Sequence, residues 1–538
     1  MMKRHFPVQH SWAVPVRLES PLENHMQRHR RLVTVLATVL AVTSNVPAQH
    51  DHPAPEKLGS VEFATSCSAK AQVQFNRAVA LLHSFAYGDA EKAFREVQET
   101  DPTCAMAHWG VAMSYYHQLW EPPLNADSYM KGKAELAKIT AIMPQSKRES
   151  GFISALNIVY SDGDSKPLRE RMVGYEARMA EVAKDNPKDT EAQVFYALAL
   201  LSTAPPTDKT HANQKKAVAI LTPLYAANPQ HPGLAHYLIH ATDNAEMAQA
   251  GAKAAQEYSK IAPSAPHALH MPSHIFTRLG MWNESVASNE AARRVAHEHG
   301  DVGEELHAMD YLTYAYLQLG SNDKATAVVS DLRAMQGLQG QNFKIGYAAT
   351  AMPVRLAVEQ GKWQDAAAMT PASSAAPEVA AVAVWARATG LARTGHVQEA
   401  SAEVQRLGEL EAALRKNGRD YWADQVKIQT AEAEAWVAAA NKDFATARKR
   451  MTDAADLEDS VEKLPLTPGP IVPAREQLGD LLLTMNQTTD ALTQFEASLI
   501  QSPARRNGLI GANKAAEMSR NQAKSSFYAA ELQKLPTR

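Results

Sequence analysis

One offset recurs along this 538-residue chain and limits what it can fold into. In RLGMWNESVASNEAA, QLGSNDKATAVV, EQGKWQDAAAM, RTGHVQEASAEV and TMNQTTDALTQFEASL, a Gly or Asn is followed five residues on by a small residue. The pairs are Gly280/Ser285, Gly320/Ala325, Gly361/Ala366, Gly395/Ala400 and Asn486/Ala491, with Gly88/Ala93 upstream. Glycine tolerates the left-handed backbone that ends a helix. A small residue early in the next helix lets that helix pack close against the first. Each helix pair leaves an apolar face that only another pair can cover, so the units must stack. Val/Ile/Thr-rich alternating runs are scarce, and the chain reads as nearly all helix.

With Pro102 closing the Gly88/Ala93 unit, and Phe495 and Pro503 following Asn486/Ala491, the pattern resembles the tetratricopeptide repeat, an antiparallel helix pair of about 34 residues. The resemblance runs from roughly Gln74 to the C-terminus and is weaker between Asn125 and Asp189. It implies an all-α fold, a TPR-like helical-hairpin solenoid over 67–538 coiled into a superhelix. Irregularities are expected near 120–190, in the loop PPTDKTHANQKK, and at a Pro-rich break near 463–473, which reads as a linker. The QLWEPPLNAD stretch, with Trp120, is expected to fold over one end of the groove.

Five histidines fall within thirty-nine residues: His236, His240, His267, His270 and His274. His236/His240 and His270/His274 are four apart, one face of a helix. The resemblance gives them addresses, because positions 2, 5, 9 and 12 of the first helix of a repeat face the concave groove. Counted from Gly280, His267, His270 and His274 fall at 2, 5 and 9. Counted from Pro232, His236, His240 and Asp243 fall at 5, 9 and 12; counted from Gly320, His307, Asp310 and Tyr314 fall at 2, 5 and 9. Trp109 and Trp385 count to position 5 and are candidate groove aromatics; the alternative is core packing. His83, His108 and His117 read as satisfied core residues, and His211, His231, His297, His299 and His396 as loop or surface residues. Pro272 either kinks its helix between His270 and His274 or marks a late helix start.

Imidazoles with one carboxylate and no thiolate suit a transition metal rather than Ca or Mg. The expected cofactor is one ion, Zn, Cu or Fe, held by His236, His240, His267, His270, His274, His307 and Asp310, with no organic cofactor. Asp310 and Asp243 are each a ligand, an orienter or a base. Two alternatives stand beside the metal: a His-lined groove for an anionic or peptide ligand, and purely structural hydrogen bonding. The chain carries no GxSxG, P-loop, GxGxxG after a strand, or HExxH. The function read from these residues is an exported scaffold whose groove binds a protein, peptide or small molecule beside a metal site. The alternative is a metal-dependent hydrolase or oxidoreductase acting on a small molecule.

A net charge of −3 gives no footprint for nucleic acid. Leu32 to Val42 is apolar, follows Arg30 and Arg31, and leads to Val46-Pro47-Ala48. This is a signal-peptide pattern over 1–48, too short to span a bilayer. Its proportions are ordinary if translation starts at Met26, the expected start. No later stretch is long and apolar enough to span a membrane, so the mature chain is expected to be periplasmic or secreted. Residues 49–66 read as a flexible segment. Cys67 and Cys104, the two cysteines, each precede a predicted helix and are expected to pair in an oxidising compartment.

Overall fold

A computed structural model of the protein describes residues 56–142, 146–163, 165–338 and 342–535. The expected signal peptide, the expected start at Met26 and the residues expected to begin the mature chain lie outside them. The described residues contain helices and no strands, and the helices succeed one another as antiparallel pairs. The series runs from Ala69–His83 with Tyr87–Thr100 to Arg506–Met518 with Gln522–Lys534. The architecture is a tetratricopeptide-type α-solenoid.

The offset that opens the sequence is the turn between paired helices. Gly280, Gly320, Gly361, Gly395 and Asn486 all have left-handed backbone, with φ of 67°, 72°, 66°, 87° and 59°. Five residues on, Ser285, Ala325, Ala366, Ala400 and Ala491 are fully buried between the helices. The upstream unit departs from the expected frame. Gly88 lies inside the helix Tyr87–Thr100, and Phe85 (φ 54°) takes the left-handed position, with Ala90 five residues on. Lys442/Ala447 and Arg520/Ser525 are further turns of the same kind without glycine. Aspartate and asparagine side chains cap several helices, among them Asp189, Asp301, Asn342 and Asp443.

The stretch near 120–190 holds the helices Ala126–Ile139, Lys147–Tyr160 and Leu168–Asp185, with 120–125 outside any helix. Two sequence expectations change. Residues 56–66 are not a loose tail: Leu58, Val61 and Phe63 are buried, and Ser60 N–H donates to the Gln230 carbonyl at 2.8 Å. The Pro-rich segment 463–473 is no linker. It is a strap laid across the inner helices: Tyr311 donates to the Thr467 carbonyl at 3.1 Å, Arg355 to the Pro470 carbonyl at 2.9 Å, and Lys463 to Asp243 at 2.7 Å.

The C-terminal pairs also fold back on the middle of the chain. Trp282 Nε1 donates to the Ala504 carbonyl at 2.9 Å, and the Arg506 N–H to Gln318 at 2.9 Å. Inner helices are therefore enclosed rather than facing an open groove; in Val302–Gln318 every residue from Glu304 onward is buried. Cys67 and Cys104 form a disulfide beside the starts of Ala69–His83 and Ala105–Met113. Such a bond fits an oxidising compartment. None of the described helices is long and apolar enough to cross a membrane.

Candidate metal centre

Pro272 divides one inner helix in two. Pro266–His270 and Pro272–Arg278 each open on a proline, where the missing N–H costs nothing. His267 and His270 stay helical on the first piece, and His274 sits on the second. The neighbouring helices Pro232–Thr242 and Val302–Gln318 bring His236, His240 and His307 alongside. The six rings form two triplets: His236, His240 and His267, and His270, His274 and His307. Within each triplet, one ligand atom per residue lies within 4.8 Å of the others. All are buried except His240, which is partly open.

The hydrogen bonds assign the tautomers. His236 Nδ1 lies 2.6 Å from the His83 carbonyl, which can only accept. His274 Nδ1 lies 2.9 Å from the Asp243 carboxylate and His267 Nδ1 3.2 Å from that of Glu304. His270 Nδ1 lies 2.6 Å from Asn289 Oδ1, whose amide nitrogen already donates to the Ser285 carbonyl. Four rings thus spend their proton on Nδ1 and leave Nε2 bare. Yet His270 Nε2 and His274 Nε2 stand 3.1 Å apart, two lone pairs facing each other with no proton between them. His236 Nε2 and His240 Nε2 are 3.0 Å apart. His267 Nε2 is buried without a partner, as is His240 Nδ1.

A shared proton would relieve the repulsion, but burial opposes it. Desolvation, helped by neighbouring imidazoles, pushes His236, His240, His270 and His307 well below their usual range. Burial takes His274 down to about 4, against the pull of Asp243. Neutral imidazoles with convergent lone pairs and anchored Nδ1–H groups are what a transition metal needs.

Charges surround the rings. Burial alone would raise the Asp243 carboxyl, but Lys463 and Arg278 outweigh it and hold the group well below the usual carboxylate range. Lys344, at 2.6 Å, with His267, does the same for Glu304. Lys344 also lies 3.4 Å above the Trp120 ring, whose centroid is 6.2 Å from that of His267. Phe85 packs against His236, His240 and His267, with ring centroids 4.4, 5.7 and 5.4 Å away. A bulky residue at positive φ is a strained choice, and strain of this kind concentrates at functional sites.

A third group, His83, Glu191 and His231, has ligand-like spacing but is already satisfied. Each Nε2 meets a Glu191 oxygen at 2.9 Å. His83 Nδ1 accepts from Tyr237 at 2.9 Å and His231 Nδ1 from the Leu234 N–H at 3.3 Å. With no lone pair to spare, this is a structural network. His83 is therefore the core residue that the sequence reading expected, whereas His231 and His211 are buried rather than on the surface.

Other candidates fall elsewhere. Asp310 belongs to neither triplet; it is buried 3.7 Å from Arg355, and desolvation raises its carboxyl to about 6. Tyr314 accepts from Arg505 at 3.0 Å and sits under the Arg355 guanidinium. Trp109 is core, not groove, wedged among Phe63, Phe152 and Phe195. Trp385 is also buried, at the wall of a cavity of about 140 Å³ beneath the strap. Glu304 and Asn289, absent from the sequence reading, orient two of the rings. Glu304 carried one signal, its i, i+3 spacing to His307. Asn289 carried none.

No protein-family model matches the sequence, and no curated protein matches it. Among solved structures, the P58(IPK) TPR domain aligns over 84% of this chain and 99% of its own, at 12% identity and a TM-score of 0.22. The APC/C hetero-tetramer Cut9-Hcn1 aligns over 84% and 77%, at 12% identity and a TM-score of 0.36. The human IFIT1 dimer with m7Gppp-AAAA aligns over 80% and 90%, at 10% identity and a TM-score of 0.33. These are proteins of distant sequence, and at such TM-scores the likeness carries no argument.

Proposed function

We propose that this chain is an exported metalloprotein, a helical solenoid whose interior holds a transition metal on histidines and offers it to a small molecule. The observation that carries the reading is the pair of opposed, unprotonated Nε2 atoms of His270 and His274 at 3.1 Å. A cation between them turns a repulsion into two coordinate bonds. The disulfide and the signal-like N-terminus support export. The strap and the returning C-terminal pairs fill the concave side, which favours a small ligand over a peptide. The space that remains includes a cavity of about 80 Å³ reached by His240 and Asp243.

The test is metal content. Purified mature protein, reconstituted with Zn, Cu or Fe and dialysed, is expected to hold at least one ion per chain by elemental analysis. His274→Gln is expected to lose or sharply weaken it while keeping the helical circular dichroism. Protein that retains none of the three metals would sink the proposal. The cavity beside His240 also favours an enzyme over a storage site, because it leaves one side of the centre open to solute.

A further inference from the structure

The two triplets are equivalent in donor set and contiguous in space. Ring centroids of His267 and His270 are 6.0 Å apart, and those of His240 and His274 are 6.1 Å apart. Each triplet supplies three imidazoles, enough for one ion with an open position. Neither triplet includes a carboxylate. The acids that touch the rings act through Nδ1–H and are themselves neutralised: Asp243 by Lys463 and Arg278, Glu304 by Lys344. Two negative groups face three positive ones. Glu462, the next acid outward, lies 3.9 Å from Arg278 and is paired with Lys209, and Asp310 lies 3.7 Å from Arg355, so the positive groups still outnumber the negative ones. The protein therefore provides no charge to balance metal ions buried at this place.

From this we infer that the site is dinuclear: one copper ion on His236, His240 and His267, a second on His270, His274 and His307, with an exogenous small anion shared between them. The inference rests on the metal reading above. Copper fits because imidazole suits it, and because as a monovalent ion it brings the least uncompensated charge into a site of neutral donors. When the ions are divalent, the missing negative charge must come from solution. A space for it adjoins the first triplet. The cavity of about 80 Å³ is bordered by His240, a ligand in the first triplet, and by Asp243, which holds a ligand of the second. Lys463 and His211 also line that cavity. Its volume accommodates an ion of a few atoms.

The experiment is a copper titration of the whole mature protein after stripping with a chelator. Bound copper is counted by elemental analysis, and the Cu(II)-loaded form is examined by electron paramagnetic resonance. The expected result is two copper ions per chain, with an integrated spin well below two that returns to two when acid releases the metal. His236→Gln and His307→Gln, one in each triplet, are each expected to keep one ion and show its full, uncoupled signal. Two ions with two independent spins in the wild-type protein, or a single ion, overturn the dinuclear site and leave the metal reading standing. No bound copper, zinc or iron overturns both. If either variant loses its helical circular dichroism, the wild-type titration alone decides.

Discussion

A buried imidazole can take a metal only if one of its nitrogens is left with a free lone pair. Here His83 and His270 differ on that point alone. His83 has both nitrogens engaged, by Tyr237 and Glu191, while His270 donates to Asn289 and turns a bare Nε2 toward His274. Asn289 is thus a positioning residue. Replacing it with Leu, which has the same branching and number of side-chain heavy atoms, at this fully buried site removes the acceptor and frees the His270 tautomer. Metal affinity is expected to fall roughly 10- to 100-fold, read by competition with a chromophoric chelator. Unchanged affinity would mean that Asn289 does not fix the ring. At this scale the sequence was half legible. The spacing of His236, His240, His267, His270, His274 and His307, once placed on a repeat, picked out the rings that the structure groups into two triplets. The Asn289 side chain, the Glu304 carboxylate and the His83 carbonyl reach the site only through tertiary packing. No local spacing marks Asn289 or the carbonyl.

At the scale of elements, the turns show what a repeat frame can and cannot reveal. Gly280, Gly320, Gly361 and Gly395 announce left-handed turns because glycine is the cheapest residue there. Phe85, Lys442 and Arg520 occupy the same position without that signature, and the frame slips at Gly88 as a result. The strap escaped notice for a related reason. A Pro-rich segment satisfies its carbonyls with side chains from distant helices, such as Arg355 and Tyr311, and sequence shows none of these partners. Two predictions belong here. Cys67 and Cys104 close a separation of 37 residues, so Cys67→Ser with Cys104→Ser is expected to cost about 3–4 kcal/mol on the chain-entropy model, measured by urea unfolding. Beneath the strap, burial raises Glu432 well above the carboxylate range and Glu458 to about 7. Both carboxyls bind protons more tightly folded than unfolded. Glu432 keeps its contribution to higher pH, whereas that of Glu458 is full below about 4.5, the ordinary value, and is lost as pH rises through about 7. Glu458→Gln should remove that slope and gain on the order of 2 kcal/mol at pH 8 relative to wild type. Parallel stability curves for the two proteins between pH 5 and 8 would refute it.

Across the whole molecule, one side chain ties the C-terminal pairs to the middle of the chain. Arg505 follows the penultimate turn, and its guanidinium is fully buried. It bonds Glu476 twice at 2.9 Å, Glu359 at 2.9 Å and the Tyr314 hydroxyl at 3.0 Å. Tyr314 and Glu359 belong to the middle of the chain, so this cation pins the C-terminal pairs over the inner helices that carry the histidines. A buried pair replaced on both sides is often tolerated, whereas removing one partner leaves an uncompensated charge and costs roughly 3–5 kcal/mol. Arg505→Met is therefore expected to destabilise the protein by about that amount at pH 8. At pH 5 the loss should be smaller, because burial already raises the Glu359 carboxyl against the pull of Arg505, and a carboxyl with a raised folded pKa stabilises the fold below that pKa. Adding Glu359→Gln and Glu476→Gln to Arg505→Met should recover most of the deficit. Limited proteolysis gives an independent reading: with closure weakened, cleavage should appear within the strap at 463–473 before the helices are cut. An Arg505→Met protein equally stable at both pH values, with an uncut strap, would show that the superhelix stays closed without this cluster and that the histidine centre is enclosed by packing alone.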